Sequence, residues 1–138
     1  MNAIEVKNIS KSYGKVLALS DVSFSVGQGE VFGLIGPDGA GKTSMFRILC
    51  SLLLPDAGTA AVDGYDVVKQ MREVRCRVGY MPGKFSLYQD LTIEENLNFV
   101  ATLFGTTVAE GYASLKAIYS QIERFKDRKA GALSGGMK

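Results

Sequence analysis

The sequence predicts an α/β fold: a strand-rich beginning, a glycine-rich loop between a buried strand and a helix, and a mainly helical second half. Three observations predict it. Apolar and polar residues alternate at Ile4 and Val6 and again through Val22, Phe24 and Val26, the period of half-buried strands. Val31–Ile35 is a short apolar run, the pattern of a central strand covered on both faces, as in a parallel sheet. From Thr43 the spacing changes: Met45, Ile48, Leu49, Leu52 and Leu53 follow the three-and-four step of an amphipathic helix.

The elements follow in order. The two alternating stretches form the antiparallel β part, and the turn at Gly27 to Glu30 leads into the strand at Val31–Ile35. Residues 36–41 break that strand, and the helix starting at Thr43 must end before Pro55, because the residue ahead of a proline avoids helical geometry. A turn at 56–59 precedes a short strand over 60–62, which Gly64 closes. A helix is expected over 67–74 and a brief strand over 77–81, ended by Pro82 and Gly83. Thr92 with Glu95, and Thr107 with Glu110, have the spacing of capping boxes, each followed by helical periodicity. The first of these helices ends near Gly105; the second carries Tyr112, Leu115, Tyr119 and Ile122 on one packing face.

Composition narrows the function classes. The 138 residues suit one domain or part of one, and a net charge of +2 excludes a polyanion-binding tail as the main function, so no nucleic-acid partner is expected. No apolar run approaches the ~20 residues that cross a bilayer. Charges near the N-terminus stand where a secretory leader needs apolar residues, so the expected compartment is the cytosol. Cys50 and Cys76 are too few and too isolated for a disulfide framework or zinc site and are read as buried free thiols. The chain has no histidine, so any proton transfer near neutral pH must do without imidazole.

Gly36-Pro-Asp-Gly-Ala-Gly-Lys-Thr43 fits the phosphate-loop pattern between a predicted strand and a predicted helix. A polyphosphate needs several N–H donors converging on its oxygens, and a loop with Gly36, Gly39 and Gly41 lets the backbone approach that closely. The following helix points its free N–H groups and positive dipole end at the same anion. Lys42, the catalytic candidate, supplies charge to the β and γ phosphates, and the Thr43 hydroxyl is the candidate Mg2+ ligand. Gly36, Pro37, Asp38, Gly39, Ala40, Gly41, Lys42, Thr43 and Ser44 are thus assigned to the nucleotide. The alternative, a plain glycine turn with Lys42 solvated, leaves the coincidence of spacing and context unexplained. The motif does not choose among kinases, GTPases, motors and transport ATPases.

Leu133-Ser-Gly-Gly-Met-Lys138, by itself a flexible tail, resembles beside this loop the signature of ATP-binding cassette (ABC) proteins, and the resemblance runs along essentially the whole chain. Tyr13 stands where the family places an aromatic that stacks on adenine. Tyr80-Met-Pro82, Leu87-Tyr88 and the stretch from Leu91 to Leu97 look like its segment joining the catalytic core to a helical subdomain. The wording is most similar to exporters of the multidrug or ABC-2 kind. The resemblance implies a P-loop NTPase of the ABC ATPase type: an N-terminal antiparallel β part, a parallel core sheet, here incomplete, and a helical subdomain. Residues 1–82 would be the core, and 83–138 the connecting loop and helical subdomain up to the signature.

It further implies ATP and Mg2+ as cofactors, a membrane permease as partner and a cytoplasmic place on the inner face of the membrane through that permease. A second ABC domain would face the first head to tail, its signature residues Ser134, Gly135, Gly136 and Met137 contacting ATP across the interface. Phe85, Leu87 and Tyr88 are either a docking surface for the permease or cover for the subdomain's own core.

The sequence departs from the family pattern in two respects. Gly83 occupies the position of a Gln that contacts magnesium and water, with Gln89 as a possible substitute; and the strand ending in Asp-Glu and the switch His that would follow Lys138 are not in the sequence. The chain is therefore expected to be the front part of a longer domain, able to bind ATP but poor at hydrolysing it. The alternatives are a non-catalytic nucleotide-binding module and a soluble ABC protein outside transport.

Overall fold

A computed structural model describes residues 2–84 and 86–134. The chain divides into two compact units, Met1–Tyr80 and Met81–Lys138.

In the first unit, β1 (Asn2–Tyr13) and β2 (Val16–Gly27) form a long antiparallel hairpin, with Val6 opposite Phe24 and Tyr13 opposite Val16. β3 (Ala57–Val62) pairs antiparallel with β1, and the two-residue β4 (Tyr65–Asp66) completes a sheet of order β2-β1-β3-β4. Simple alternation would not bury both Val6 and Ile9, three positions apart. A register shift lies between them, built on Asn8 and Asp21, which both have left-handed backbones and share a side-chain hydrogen bond of 2.7 Å. Asn and Asp tolerate that conformation better than other non-glycine residues, so the bulge is encoded locally.

α1 (Lys42–Leu49) lays Met45, Ile48 and Leu49 on the sheet, where they join Val6, Ile9, Leu19, Ala60 and Val62 in one apolar core. The helix stops at Leu49, earlier than the apolar spacing suggests. Ser51 takes a left-handed backbone, and the N–H groups of Leu52 and Leu53 turn back to the Arg47 carbonyl. Leu53 still packs on the core although it is no longer helical, which explains why the periodicity overran the helix.

Two expected strands are not formed. Among the described residues Val31–Ile35 and 77–81 join no strand ladder, the Arg77 and Val78 N–H groups turning back to the Val74 carbonyl, and the sheet is wholly antiparallel. Val31 and Ile35 are fully exposed, while Phe32 stacks on Phe24 with ring centroids 5.1 Å apart. An apolar run specifies a preference for burial, whereas a strand also needs a neighbouring ladder. The helix expected over 67–74 begins only with α2 (Met71–Arg75), because the Asp66 carboxylate accepts hydrogen bonds from the N–H groups of Val68 and Lys69 and holds them in a turn. Those same bonds keep the Asp66 carboxyl below its usual range. Both cysteines are free, but Cys76 is exposed and Cys50 only half-buried, contrary to expectation. They cap the ends of short helices, where the chain turns away from the core.

In the second unit, α3 (Ile93–Leu103) and α4 (Val108–Tyr119) both begin with the expected capping box: the Thr92 and Thr107 hydroxyls accept from the Glu95 and Glu110 N–H groups, and each glutamate answers the cap N–H. Ile93, Tyr119 and Leu133 form the core, flanked by Leu97, Tyr112, Ile122 and Phe125. Leu115 is exposed instead. Tyr112 and Tyr119 lie nearly two helical turns apart on one line, and Leu115 falls to its side. Buried Asn96 accepts from the Tyr88 N–H and donates to the Tyr88 and Thr92 carbonyls, fixing the preceding loop to α3. Among the described residues no helix is long and apolar enough to cross a membrane.

Candidate nucleotide-binding site

The glycine-rich loop enters α1 through Gly41, whose backbone is left-handed (φ 81°) and whose carbonyl accepts the first helical bond, from Met45 N–H at 2.9 Å. A Cβ on Gly41 would overlap the Ala18 carbonyl oxygen and lie 2.7 Å from Leu19 Cδ2. Glycine is thus needed here because α1 starts directly against β2, apart from any ligand. Gly39 differs: its φ is 83°, yet nothing lies within 4 Å of a built Cβ. Its lack of a side chain keeps the mouth of the loop open.

A cavity of about 310 Å3 lies at this helix start, walled by Tyr13, Val16 and Ala18 of the hairpin and by residues 38–44. Asp38, Gly39, Ala40, Gly41, Lys42, Thr43 and Ser44 therefore meet Tyr13 around one space, as the sequence suggests. Gly36 and Pro37 stand outside the lining and act through their carbonyls, each accepting a 2.6 Å hydrogen bond from Lys42 Nζ. The Lys42 ammonium thus rests on its own loop. The first turn of α1 has no acidic residue, so the helix end stays positive. Tyr13 closes the far side, its hydroxyl 3.0 Å from Ser44 Oγ. Val16 and Ala18 were not anticipated; the signal for Val16 was Gly14, which allows the tight turn that sets it opposite Tyr13.

The residues suit a phosphate chain with a bound cation. Thr43 offers one exposed hydroxyl at the cavity, and among the described residues no cluster of three His, Cys, Asp or Glu can hold a metal alone. A Mg2+ at this place would take one oxygen from Thr43 and the rest from phosphate and water, its usual mode beside nucleotides.

The remaining candidates belong to the second unit. Ser134 is exposed, and Gly135, Gly136 and Met137 lie outside the described residues, as does Phe85. Leu87 and Tyr88 are both exposed, Tyr88 meeting Phe99 edge-on at 5.2 Å. Gly83 has open space around a built Cβ, so packing does not demand glycine there, and the Gln89 carbonyl accepts the Gly131 N–H. A second cavity, of about 380 Å3 between α3 and α4, has its charged groups already paired, Lys126 with Glu94 and Glu123 with the Tyr112 hydroxyl.

Comparison with known proteins places the chain in a family. The ABC transporter family pattern matches residues 19–138. The Nod factor export ATP-binding protein I of Burkholderia lata is 39% identical over 137 residues, covering 98% of this chain and 45% of its own length. The chain thus spans about half the length of such curated relatives. Among solved structures, an ATP-binding subunit of an ABC transporter superposes with a TM-score of 0.86 at 32% identity, over 98% of this chain and 57% of the other. A dimeric ATP-binding cassette in a post-hydrolysis state with ADP and Pi superposes with a TM-score of 0.80 at 26% identity, over 96% and 64%. With its phosphate loop, the tyrosine facing it and the family pattern across most of its length, this chain belongs to the ABC transporter family.

Proposed function

We propose that the chain is the ATP-binding part of an ABC exporter, working on the cytoplasmic face of the membrane through a permease subunit. ATP would enter the cavity between Tyr13 and the phosphate loop. Its adenine stacks on the Tyr13 ring, and its phosphates take N–H donors from residues 39–44. Lys42 leaves the Gly36 and Pro37 carbonyls for the β and γ phosphates, a favourable exchange because an ammonium bonds an anionic oxygen more strongly than a neutral one. Thr43 holds Mg2+. A second ABC domain closes the site from outside with the signature Ser134, Gly135, Gly136 and Met137, so that nucleotide state sets the association of the two domains.

The observation that carries this reading is the meeting of Tyr13 with residues 38–44 around one cavity at a helix start. The export role is supported by the name of the Burkholderia relative, a Nod factor export ATP-binding protein. Calorimetric titration of the folded chain with Mg-ATP tests the site. Saturable heat is expected, with affinity about tenfold or more weaker in Lys42→Ala, the weight of one charge-assisted contact. Absence of heat at millimolar Mg-ATP overturns the reading.

A further inference from the structure

Tyr13 is half-exposed at the very end of β1, beside the hairpin turn, a position where an aromatic ring ordinarily keeps its rotational freedom. Here it is held from two sides. Its hydroxyl meets Ser44 Oγ at 3.0 Å, in the first turn of α1. The strand behind it is gripped by Asp56, on the segment that leaves α1. One Asp56 oxygen accepts from Lys11 Nζ at 2.6 Å and the other from the Ser12 N–H at 2.7 Å. The Asp56 N–H in turn donates to the Ser10 carbonyl at 2.9 Å. One residue therefore bonds the three residues that precede Tyr13. The bonds from Lys11 and from the Ser12 N–H also hold the Asp56 carboxyl below the usual carboxylate range, so both oxygens stay acceptors at neutral pH. Lys11 lies over the Tyr13 ring, 5.9 Å from its centroid, which makes Asp56 the anchor of a contact to the ring as well as to its strand.

We propose that Asp56 is a positioning residue for the base-side wall of the nucleotide site, holding the end of β1 so that the Tyr13 ring is already oriented for a nucleobase before one arrives. The two ends of the phosphate-loop helix then act together: Ser44 at its start tethers the tyrosine hydroxyl, and Asp56 beyond its end tethers the strand. Preorganising the ring removes an ordering cost from binding, and only a ligand with a base gains from it. This inference rests on the reading of the cavity as an ATP site.

The experiment compares ATP with inorganic tripolyphosphate, which lacks base and ribose, on the folded chain. Asp56→Ala is expected to lower ATP affinity about fivefold, the scale of one charged tether on an exposed strand end, and to leave tripolyphosphate affinity within about twofold. Lys11→Met removes the same ion pair from the other side and is expected to act in the same direction, which covers the case in which Asp56→Ala fails to fold. In a Tyr13→Ala background Asp56→Ala should add nothing, since there is no ring left to position. A preference for ATP unmoved by Asp56→Ala or Lys11→Met, or an equal loss in the Tyr13→Ala background, overturns the positioning role while leaving the ATP site standing. Failure of the wild-type chain to bind either ligand removes the site and the role together.

Discussion

Gly39 and Gly41 have the same backbone conformation for different reasons, and exchanging each for alanine separates them. Both have φ above 80°, so either alanine carries the left-handed penalty of about 1–2 kcal/mol. At Gly39 the account ends there, because the new methyl meets no atom within 4 Å. At Gly41 the methyl collides with the Ala18 carbonyl and the Leu19 side chain, so α1 must shift from β2, and forced repacking of this kind adds about 1–3 kcal/mol. Gly41→Ala should therefore destabilise the chain by roughly 2–5 kcal/mol, against about 1–2 for Gly39→Ala. Urea unfolding followed by circular dichroism measures both, and the midpoint should fall much further for Gly41→Ala. If the loop holds phosphate as proposed, nucleotide affinity should show the reverse order among molecules that remain folded, since a methyl on Gly39 would stand at the cavity mouth. Equal unfolding midpoints for the two variants would refute the view that Gly41 is fixed by its contact with β2.

Other perturbations follow from single residues. Ser51 has a left-handed backbone and a buried hydroxyl with no hydrogen-bond partner among the described residues, so Ser51→Gly should stabilise the first unit by about 1 kcal/mol, read from the same unfolding curves. Asn96→Ala strips partners from the Tyr88 and Thr92 backbone in a buried place and should destabilise the second unit by about 2–3 kcal/mol, with faster amide exchange at Tyr88 as its signature. The capping carboxyls have lowered pKa values: Glu95 chiefly through the Thr92 N–H, Glu110 chiefly through the Thr106 hydroxyl and then the Thr107 N–H. A depressed folded pKa means that their support is complete above the ordinary value of 4.5 and is lost as pH falls through it toward the folded value. Amide protection at the starts of α3 and α4 should then drop as pH falls below that ordinary value, and Glu95→Gln should flatten that dependence for α3 alone.

Features that depend on near neighbours in the chain were legible. The capping boxes need residues three apart, and both were realised as read. The phosphate loop needs glycines, Lys42 and Thr43 in a row, and all line or support one cavity. The family signature beyond Ser134 falls outside the described residues. Misreadings arose from local turns, at Ser51 and at Asp66, to which periodicity is blind, and from a pairing that needs a distant segment. The apolar spacing after Thr43 carried past the end of α1 because periodicity registers burial and is blind to the left-handed turn at Ser51. Val31–Ile35 read as a strand because its composition asks for cover on both faces, but pairing belongs to two segments and no described backbone takes the second part.

By itself, then, the order of residues determined the hairpin, the glycine-rich loop and the capped starts of α3 and α4, since each follows from dihedral preferences and hydrogen bonds within a few positions. Only the tertiary structure decided that Gly41 is pressed against Ala18, that Lys42 rests on the Gly36 and Pro37 carbonyls, and that Asp56 grips the strand ahead of Tyr13. Asp56 and Ser12 stand 44 positions apart in the chain, and no periodicity or propensity reaches across such a separation. Their hydrogen bond exists because β3 pairs with β1 and carries the residue just before it to that place.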